Sequence, residues 1–283
     1  MIFVTSSCVK ANYIKESVSA LAEAGFKNIE LSGGTEYYTD FEIDLLRLRD
    51  KYDLNYLLHN YFPPPKNHFV INLASLDSDN YERSIAHCKT AIELSKKLGG
   101  RKYAIHAGFL LDIRKEEIGS KITYTGLNDS KKAVQKMKDA WKILINTADD
   151  QLELYLENNV YSETNKKTFL NNNPFLFSTY EGMLSLKDQM EFKPLLDLAH
   201  LKVSTNVLGL NFKDQIEQII PFTDYIHISG NDGFHDQNLG ISDENIMIAM
   251  LKKHRIKDRT ITLEIYGNMV DLINGYELIL NYA

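Results

Sequence analysis

Seven apolar–polar pairs recur along the chain: Ile29-Glu30, Leu58-His59, Ile105-His106, Leu156-Glu157, Leu196-Asp197, Ile226-His227 and Leu263-Glu264. Every polar member is of a type that binds metal ions or moves protons, and each pair closes a strand-like run. The polar members lie about 30 to 50 residues apart. A strand with its returning helix takes roughly 30 residues or more. The pattern therefore reads as one polar residue per β/α unit, at the same place in each unit. In a closed parallel barrel those places meet at one mouth. Three histidines, three glutamates and one aspartate gathered there would make a metal site.

Carboxylate oxygens with imidazole nitrogens suit Mn²⁺, Zn²⁺, Co²⁺ or Fe²⁺ better than Ca²⁺, with Mg²⁺ also in range. The densest subset is Glu157, Asp197, His227 and Glu264, from four successive strands. These four could hold one divalent ion and leave positions open for substrate. His59, His106 and His200 could hold a second ion or line the pocket. Two glutamates beside a metal also suit proton transfer at a carbon next to a carbonyl: one carboxylate removes the proton and the other returns one from the opposite face. Any single buried His or Glu on a strand can be a hydrogen-bonded structural residue. Seven at equivalent places are hard to explain that way. Glu30 is the weakest member, because strand 2 is far around the ring from strand 7, and a backbone group or a lysine is its expected partner. His68, His87 and His254 are expected to face solvent. Lys66, Arg114 and Lys115 could meet a substrate phosphate, although such charges usually face solvent.

Eight strand-like runs must position this set: approximately Ile2–Ser6, Asn28–Ser32, Asn55–Tyr61, Lys102–Ala107, Leu152–Asn158, Lys193–Ala199, Tyr225–Ser229 and Thr260–Tyr266. Amphipathic stretches between them read as helices over Tyr13–Ala24, Phe41–Lys51, Tyr81–Leu98, Lys131–Thr147, Ile241–His254 and Met269–Ile279. Regular alternation of this kind predicts parallel βαβ units, and eight of them predict a single α/β domain over residues 1–283, a (β/α)8 barrel. The turn after the first strand, SSCVKAN, lacks the G-x-G-x-x-G of an open dinucleotide-binding sheet. Within Leu152–Asn158 the leucines share one face while Glu153, Tyr155 and Glu157 share the other, which is expected to look into the barrel. Long loops are expected at Phe62–Asn80, Gly108–Ser130 and 159–191. All follow strands and would sit over the same mouth.

The 283 residues carry a net charge of −6 and are 44% apolar. That is enough for a sizeable core and gives no electrostatic footprint for nucleic acid or an anionic membrane. Two distant cysteines, Cys8 and Cys88, argue against a disulfide framework. With no signal-peptide pattern and no membrane-length apolar run, a cytoplasmic protein is expected. A homodimer stays open.

In their order along the chain, Gly25-Phe26-Lys27-Asn28-Ile29-Glu30-Leu31, Leu58-His59-Asn60, Ile71-Asn72-Leu73-Ala74-Ser75, His106-Ala107-Gly108, Leu156-Glu157-Asn158, Asp197-Leu198-Ala199-His200, His227-Ile228-Ser229 and Leu263-Glu264 resemble the xylose isomerase-like barrel superfamily. That superfamily includes sugar and sugar-phosphate isomerases and epimerases and the endonuclease IV group. The resemblance implies a TIM barrel. It implies Glu157, Asp197, His227 and Glu264 as metal ligands, as in the ketose 3-epimerases, with Glu157 and Glu264 also as the acid–base pair. It implies a substrate contact from His200, and His59, His106, Asp236 and Asn238 are further candidates for substrate binding. In the endonuclease branch His59 and His106 would add a second ion. Asn238 stands where that branch often has histidine, which argues against a complete three-metal phosphodiesterase. The epimerase branch usually has an arginine shortly after the strand-7 histidine, and Ser229-Gly230-Asn231-Asp232-Gly233 offers none. The first expectation is a metal-dependent isomerase or epimerase of a small sugar or sugar phosphate. The alternative is an apurinic-endonuclease-like phosphodiesterase. An idle binding barrel and a lyase are further readings.

Overall fold

A computed structural model describes residues 1–117, 121–123, 126–254 and 256–282. Eight parallel strands close into a barrel in sequence order: β1 (Ile2–Thr5), β2 (Asn28–Leu31), β3 (Asn55–His59), β4 (Lys102–His106), β5 (Glu153–Glu157), β6 (Lys193–Asp197), β7 (Tyr225–Ile228) and β8 (Thr260–Leu263). The ring shuts where β1 pairs with β8, Ile2 opposite Ile261. Around it lie α1 (Ile14–Glu23), α2 (Phe41–Tyr52), α3 (Ser78–Leu98), α4 (Ser130–Ala148), α5 (Glu163–Thr168), α6 (Tyr180–Lys187), α7 (Leu198–Leu208), α8 (Phe212–Ile219), α9 (Ile246–Lys253) and α10 (Met269–Leu280). The expected (β/α)8 TIM barrel is thus the observed one. Among the described residues no helix is long and apolar enough to cross a membrane. Both cysteines are free.

Strand alternation explains the apolar–polar pairs. The apolar members Ile29, Leu58, Ile105, Leu156, Leu196, Ile226 and Leu263 are all buried in the layer between strands and helices. Their polar neighbours point the other way, into the lumen. Below them, Phe3, Leu57, Ala104, Tyr155, Leu195 and Tyr225 form a separate apolar plug. Two residues further along the same strands come Thr5, His59, His106, Glu157, Asp197 and His227. Side chains two apart share a strand face, so a polar layer sits directly on the plug. Glu153, expected on the inner face, has the right parity but lies at the opposite rim, exposed and ion-paired with Lys193.

Several boundaries differ from the sequence expectation. The helix expected from Tyr81 starts at Ser78, because the Asp77 carboxylate accepts from Asn80 N–H at 2.8 Å and caps the first turn. The helix expected from Ile241 starts at Ile246, capped by Asn245. The stretch 159–191 is not a bare loop but contains α5 and α6. Part of the loop expected over Gly108–Ser130, at 118–120 and 124–125, lies outside the described residues. The sixth strand stops at Asp197 rather than Ala199, and α7 follows with no connecting loop. His87 and His254 are partly buried rather than solvated, each with an unpartnered buried Nε2. His68 is exposed as expected.

Candidate metal centre

β5 delivers Glu157 to the centre of the mouth, where its carboxylate is fully buried. His59 Nε2–H donates to Glu157 Oε2 at 2.6 Å. His106 Nδ1 lies 3.3 Å from the same oxygen. On the other side His200 Nδ1 and His227 Nδ1 lie 3.5 and 3.7 Å from Oε1. One carboxylate therefore faces four imidazoles. Burial alone would push its pKa up, but His106, His59 and His227 reverse this and hold it well below the usual carboxylate range.

Asp197 ends β6 and caps α7: its Oδ1 accepts from His200 N–H at 2.7 Å. The buried Asn158 side chain grips the Asp197 backbone, accepting from its N–H at 2.7 Å and donating to its carbonyl at 2.9 Å. Burial raises the Asp197 carboxyl to about 7. The first turn of α7 carries His200, whose Nδ1–H donates to the Asn158 carbonyl at 2.9 Å. Its Nε2 lies 3.3 Å from Asp236 Oδ2. Burial opposes the charged imidazole, but Asp197 and Asp236 more than offset it and raise the His200 pKa.

His227 has two differently engaged nitrogens. Nδ1 faces Glu264 Oε1 at 3.5 Å as well as Glu157. Nε2 faces the Glu30 carboxylate at 3.1 and 3.2 Å. Glu30 also accepts from the Tyr225 hydroxyl, and from Thr262 Oγ1 at 2.7 Å. This corrects the expected backbone or lysine partner. Strand 2 is far around the ring from strand 7 but close across it, because the lumen is only a side chain or two wide.

The structure thus brings together all seven predicted polar residues. Glu157, Asp197 and His227 could each offer a ligand atom within one compact group, as could Glu30, His59, His227 and Glu264, and His106, Glu157 and His200. His227 links Glu264 to Glu157 and Asp197. A cation fits this donor set. Glu157 Oε1, His227 Nδ1, Glu30 Oε1, His59 Nδ1 and His106 Nδ1 are buried without hydrogen-bond partners, an expensive arrangement unless an ion or substrate completes it.

Asp236 and Asn238 both line the mouth. Asn238 adopts a left-handed backbone (φ 50°) and its Oδ1 accepts from Ser229 Oγ–H at 3.1 Å. Among the described residues Asp236 belongs to none of the compact groups of His, Cys, Asp and Glu ligand atoms. The loop cations are engaged elsewhere or peripheral. Arg114 pairs with Glu117 at 2.8 Å, Lys66 lies over the Tyr37 ring, and Lys115 reaches the rim of the cavity. Sequence reasoning missed the contribution of Asn158. Asn158 is next to a pair already singled out, but nothing in its type signals its role.

The chain belongs to the xylose isomerase-like TIM barrel family, which it matches over residues 18–276. Among solved structures it is similar to a D-tagatose 3-epimerase-like protein (19% identity, TM-score 0.74, covering 99% of this chain and 96% of the other). It is also similar to 3-keto-D-glucoside 4-epimerase from E. coli (11%, TM-score 0.67, 99% and 98%). A third is endonuclease IV from Thermus thermophilus (14%, TM-score 0.62, 99% and 98%). At these identities the likeness is one of fold. Nothing among curated protein sequences matches the chain.

Proposed function

We propose that this protein is a metal-dependent isomerase or epimerase of a sugar or sugar phosphate, working by proton transfer at the carbon beside a carbonyl. The observation that carries this reading is the placing of Glu157 and Glu264. Both face His227 Nδ1, at 3.7 and 3.5 Å, from strands on either side of it. Sugar epimerases among the structural neighbours support it.

Glu157, Asp197, His227 and Glu264 would hold one divalent ion, Mn²⁺, Zn²⁺, Co²⁺ or Mg²⁺. When bound, the ion polarises the substrate carbonyl and so acidifies the neighbouring C–H. One of the two glutamates takes that proton and the other returns one from the opposite face, which inverts the carbon. Return to the adjacent carbon isomerises instead. His200 is held by Asn158 and presents Nε2 toward Asp236, so the two can orient a substrate hydroxyl. His59 and His106 wall the other side of Glu157, with Asn238 at the rim. We place the protein in the cytoplasm, with a small molecule as its partner.

The test is incubation of keto sugars with the Mn²⁺-loaded protein in deuterated water. Deuterium should appear at the carbon next to the carbonyl. Glu157→Gln and Glu264→Gln should each slow exchange by about 10²-fold or more. Full exchange in both variants with metal still bound would contradict the assignment.

A second reading, a phosphodiesterase of the endonuclease IV type, is favoured by one observation: His59, His106 and His200 gather on Glu157, enough for a second ion. Counting metal separates the two. The first reading needs one ion per chain, whereas the second needs at least two together with cleavage of an abasic duplex.

A further inference from the structure

The loop after β2 starts at Ser32 and runs through Gly33, Gly34 and Thr35 along the wall of the cavity at the mouth. That cavity has a volume of about 810 Å³ and also reaches Glu157, His200, Asp236 and Glu264. Its size lies in the range of about 300–1,000 Å³ that holds a small-molecule ligand. The rest of the wall is mixed, with Val9, Pro65 and Phe69 as well as Asn60 and Asn238.

Two serines of the turn after β1 brace the loop. Ser6 Oγ accepts from Ser32 N–H at 2.9 Å, and Ser7 Oγ–H donates to the Gly33 carbonyl at 2.8 Å. The next three N–H groups are not engaged: among the described residues those of Gly33, Gly34 and Thr35 have no hydrogen-bond partner. Gly34 has a left-handed backbone, φ 98°, which glycine adopts without strain. Runs of successive N–H groups around such a residue form concavities that bind anions.

Two side chains point to the same ligand chemistry. Thr35 is 6% exposed, and its Oγ1 is buried without a partner, a costly arrangement unless a ligand completes it. Lys10 lies on the same cavity wall. It is exposed and, among the described residues, has no hydrogen-bond or ion-pair partner. Lys115, also on the wall, has Glu116 at 3.8 Å. The carboxylate nearest in the chain, Glu36, is exposed.

We propose that the substrate is a sugar phosphate whose phosphate is bound by the N–H groups of Gly33, Gly34 and Thr35, the Thr35 hydroxyl and the Lys10 ammonium. This rests on the reading of the site as a sugar isomerase or epimerase and narrows its substrate class. A phosphate group brings negative charge and three strong acceptor oxygens, which suit a set of donors and a free cation. A neutral hydroxyl brings a donor of its own and leaves the cation unmatched. With the phosphate held on this loop, the sugar extends within the same cavity toward Glu157 and Glu264.

Calorimetric titration of the Mn²⁺-loaded full chain tests the assignment, comparing D-ribulose with D-ribulose 5-phosphate and D-fructose with D-fructose 6-phosphate. At least one phosphate ester should bind about tenfold tighter than its parent sugar or better. Lys10→Gln and Thr35→Val should each cut that preference to about threefold or less. Equal affinity of ester and parent in both pairs, no measurable binding of either ester, or a preference that survives in either folded variant would overturn the proposal. A surviving preference would mean that the phosphate sits elsewhere, on the metal for example. The deuterium-exchange assay reads the other question separately. Exchange on a free keto sugar with no phosphate preference would reject the phosphate site and leave the isomerase or epimerase reading standing. A preference that the variants abolish, with no exchange on any ketose or ketose phosphate, would uphold the phosphate site and reject that reading.

Discussion

Glu30 shows how a single side chain can matter at a site without touching the reaction. Its carboxylate takes the Nε2–H of His227, which leaves Nδ1 turned toward Glu157 and Glu264. A histidine whose other nitrogen is fixed by a carboxylate is a better-oriented and more basic ligand, and losing such a partner typically costs 10–100-fold in metal affinity. Glu30→Gln should therefore weaken Mn²⁺ binding by about that factor, measured by titration followed by electron paramagnetic resonance. Unchanged affinity would deny Glu30 this role. A second prediction concerns His87 on α3. Burial against Phe69 lowers its pKa to about 4. A histidine with a folded pKa below its unfolded value, about 6.5, stabilises the native state fully above that value and loses the contribution as pH falls toward 4. His87→Phe should flatten the fall in unfolding free energy between pH 6.5 and 4, measured by urea denaturation at each pH. An unaltered slope would show that His87 does not titrate in this way. Glu30 itself was visible as one of seven equivalent pairs. Its partner was not, because distance around a ring of strands says little about distance across it.

At the scale of elements, the joint between β6 and α7 is the most consequential. Asp197 ends the strand, caps the helix through His200 N–H and offers its second oxygen to the mouth. Asn158 holds that joint by two hydrogen bonds to the Asp197 backbone. Removing them would leave the buried Asp197 N–H unpaired, at about 1–3 kcal/mol, while its carbonyl keeps its bond within α7. Asn158→Ala should lower the unfolding free energy by about 1–3 kcal/mol in urea denaturation. A loss below about 0.5 kcal/mol would mean the joint is held otherwise. The eight strands were legible because the two-residue alternation separates helix-facing leucines and isoleucines from lumen-facing polar groups. The helices between β6 and β7, α7 and α8, were not. In Leu195–Leu201 the apolar run continues through the strand end, and a short apolar run fits a buried strand or a buried helix equally well. The decisive feature is the Asp-x-x-His cap, which read at first as a ligand pair and is also a helix start. Helices α5 and α6 are six and eight residues long, too short for their periodicity to stand out.

For the whole molecule, the barrel concentrates buried charge on one layer above an apolar plug. Five carboxylates and four imidazoles share that mouth, and several of their atoms lack partners. An ion that binds only the folded chain must stabilise it, by about 2.7 kcal/mol at a hundred times its dissociation constant. For a chain of this length that corresponds to a rise in Tm of about 5 °C. Differential scanning calorimetry should show this rise on adding Mn²⁺ to chelator-treated protein, and Asp197→Ala should abolish it. An equal rise in that variant would place the ion elsewhere.

Anomalous diffraction from crystals of the Mn²⁺-loaded protein tests the central claim most directly. The account predicts one strong peak contacted by Glu157, Asp197, His227 and Glu264, with Glu30 behind His227 and outside contact distance. A peak away from those four side chains, or none at the barrel mouth, would contradict it.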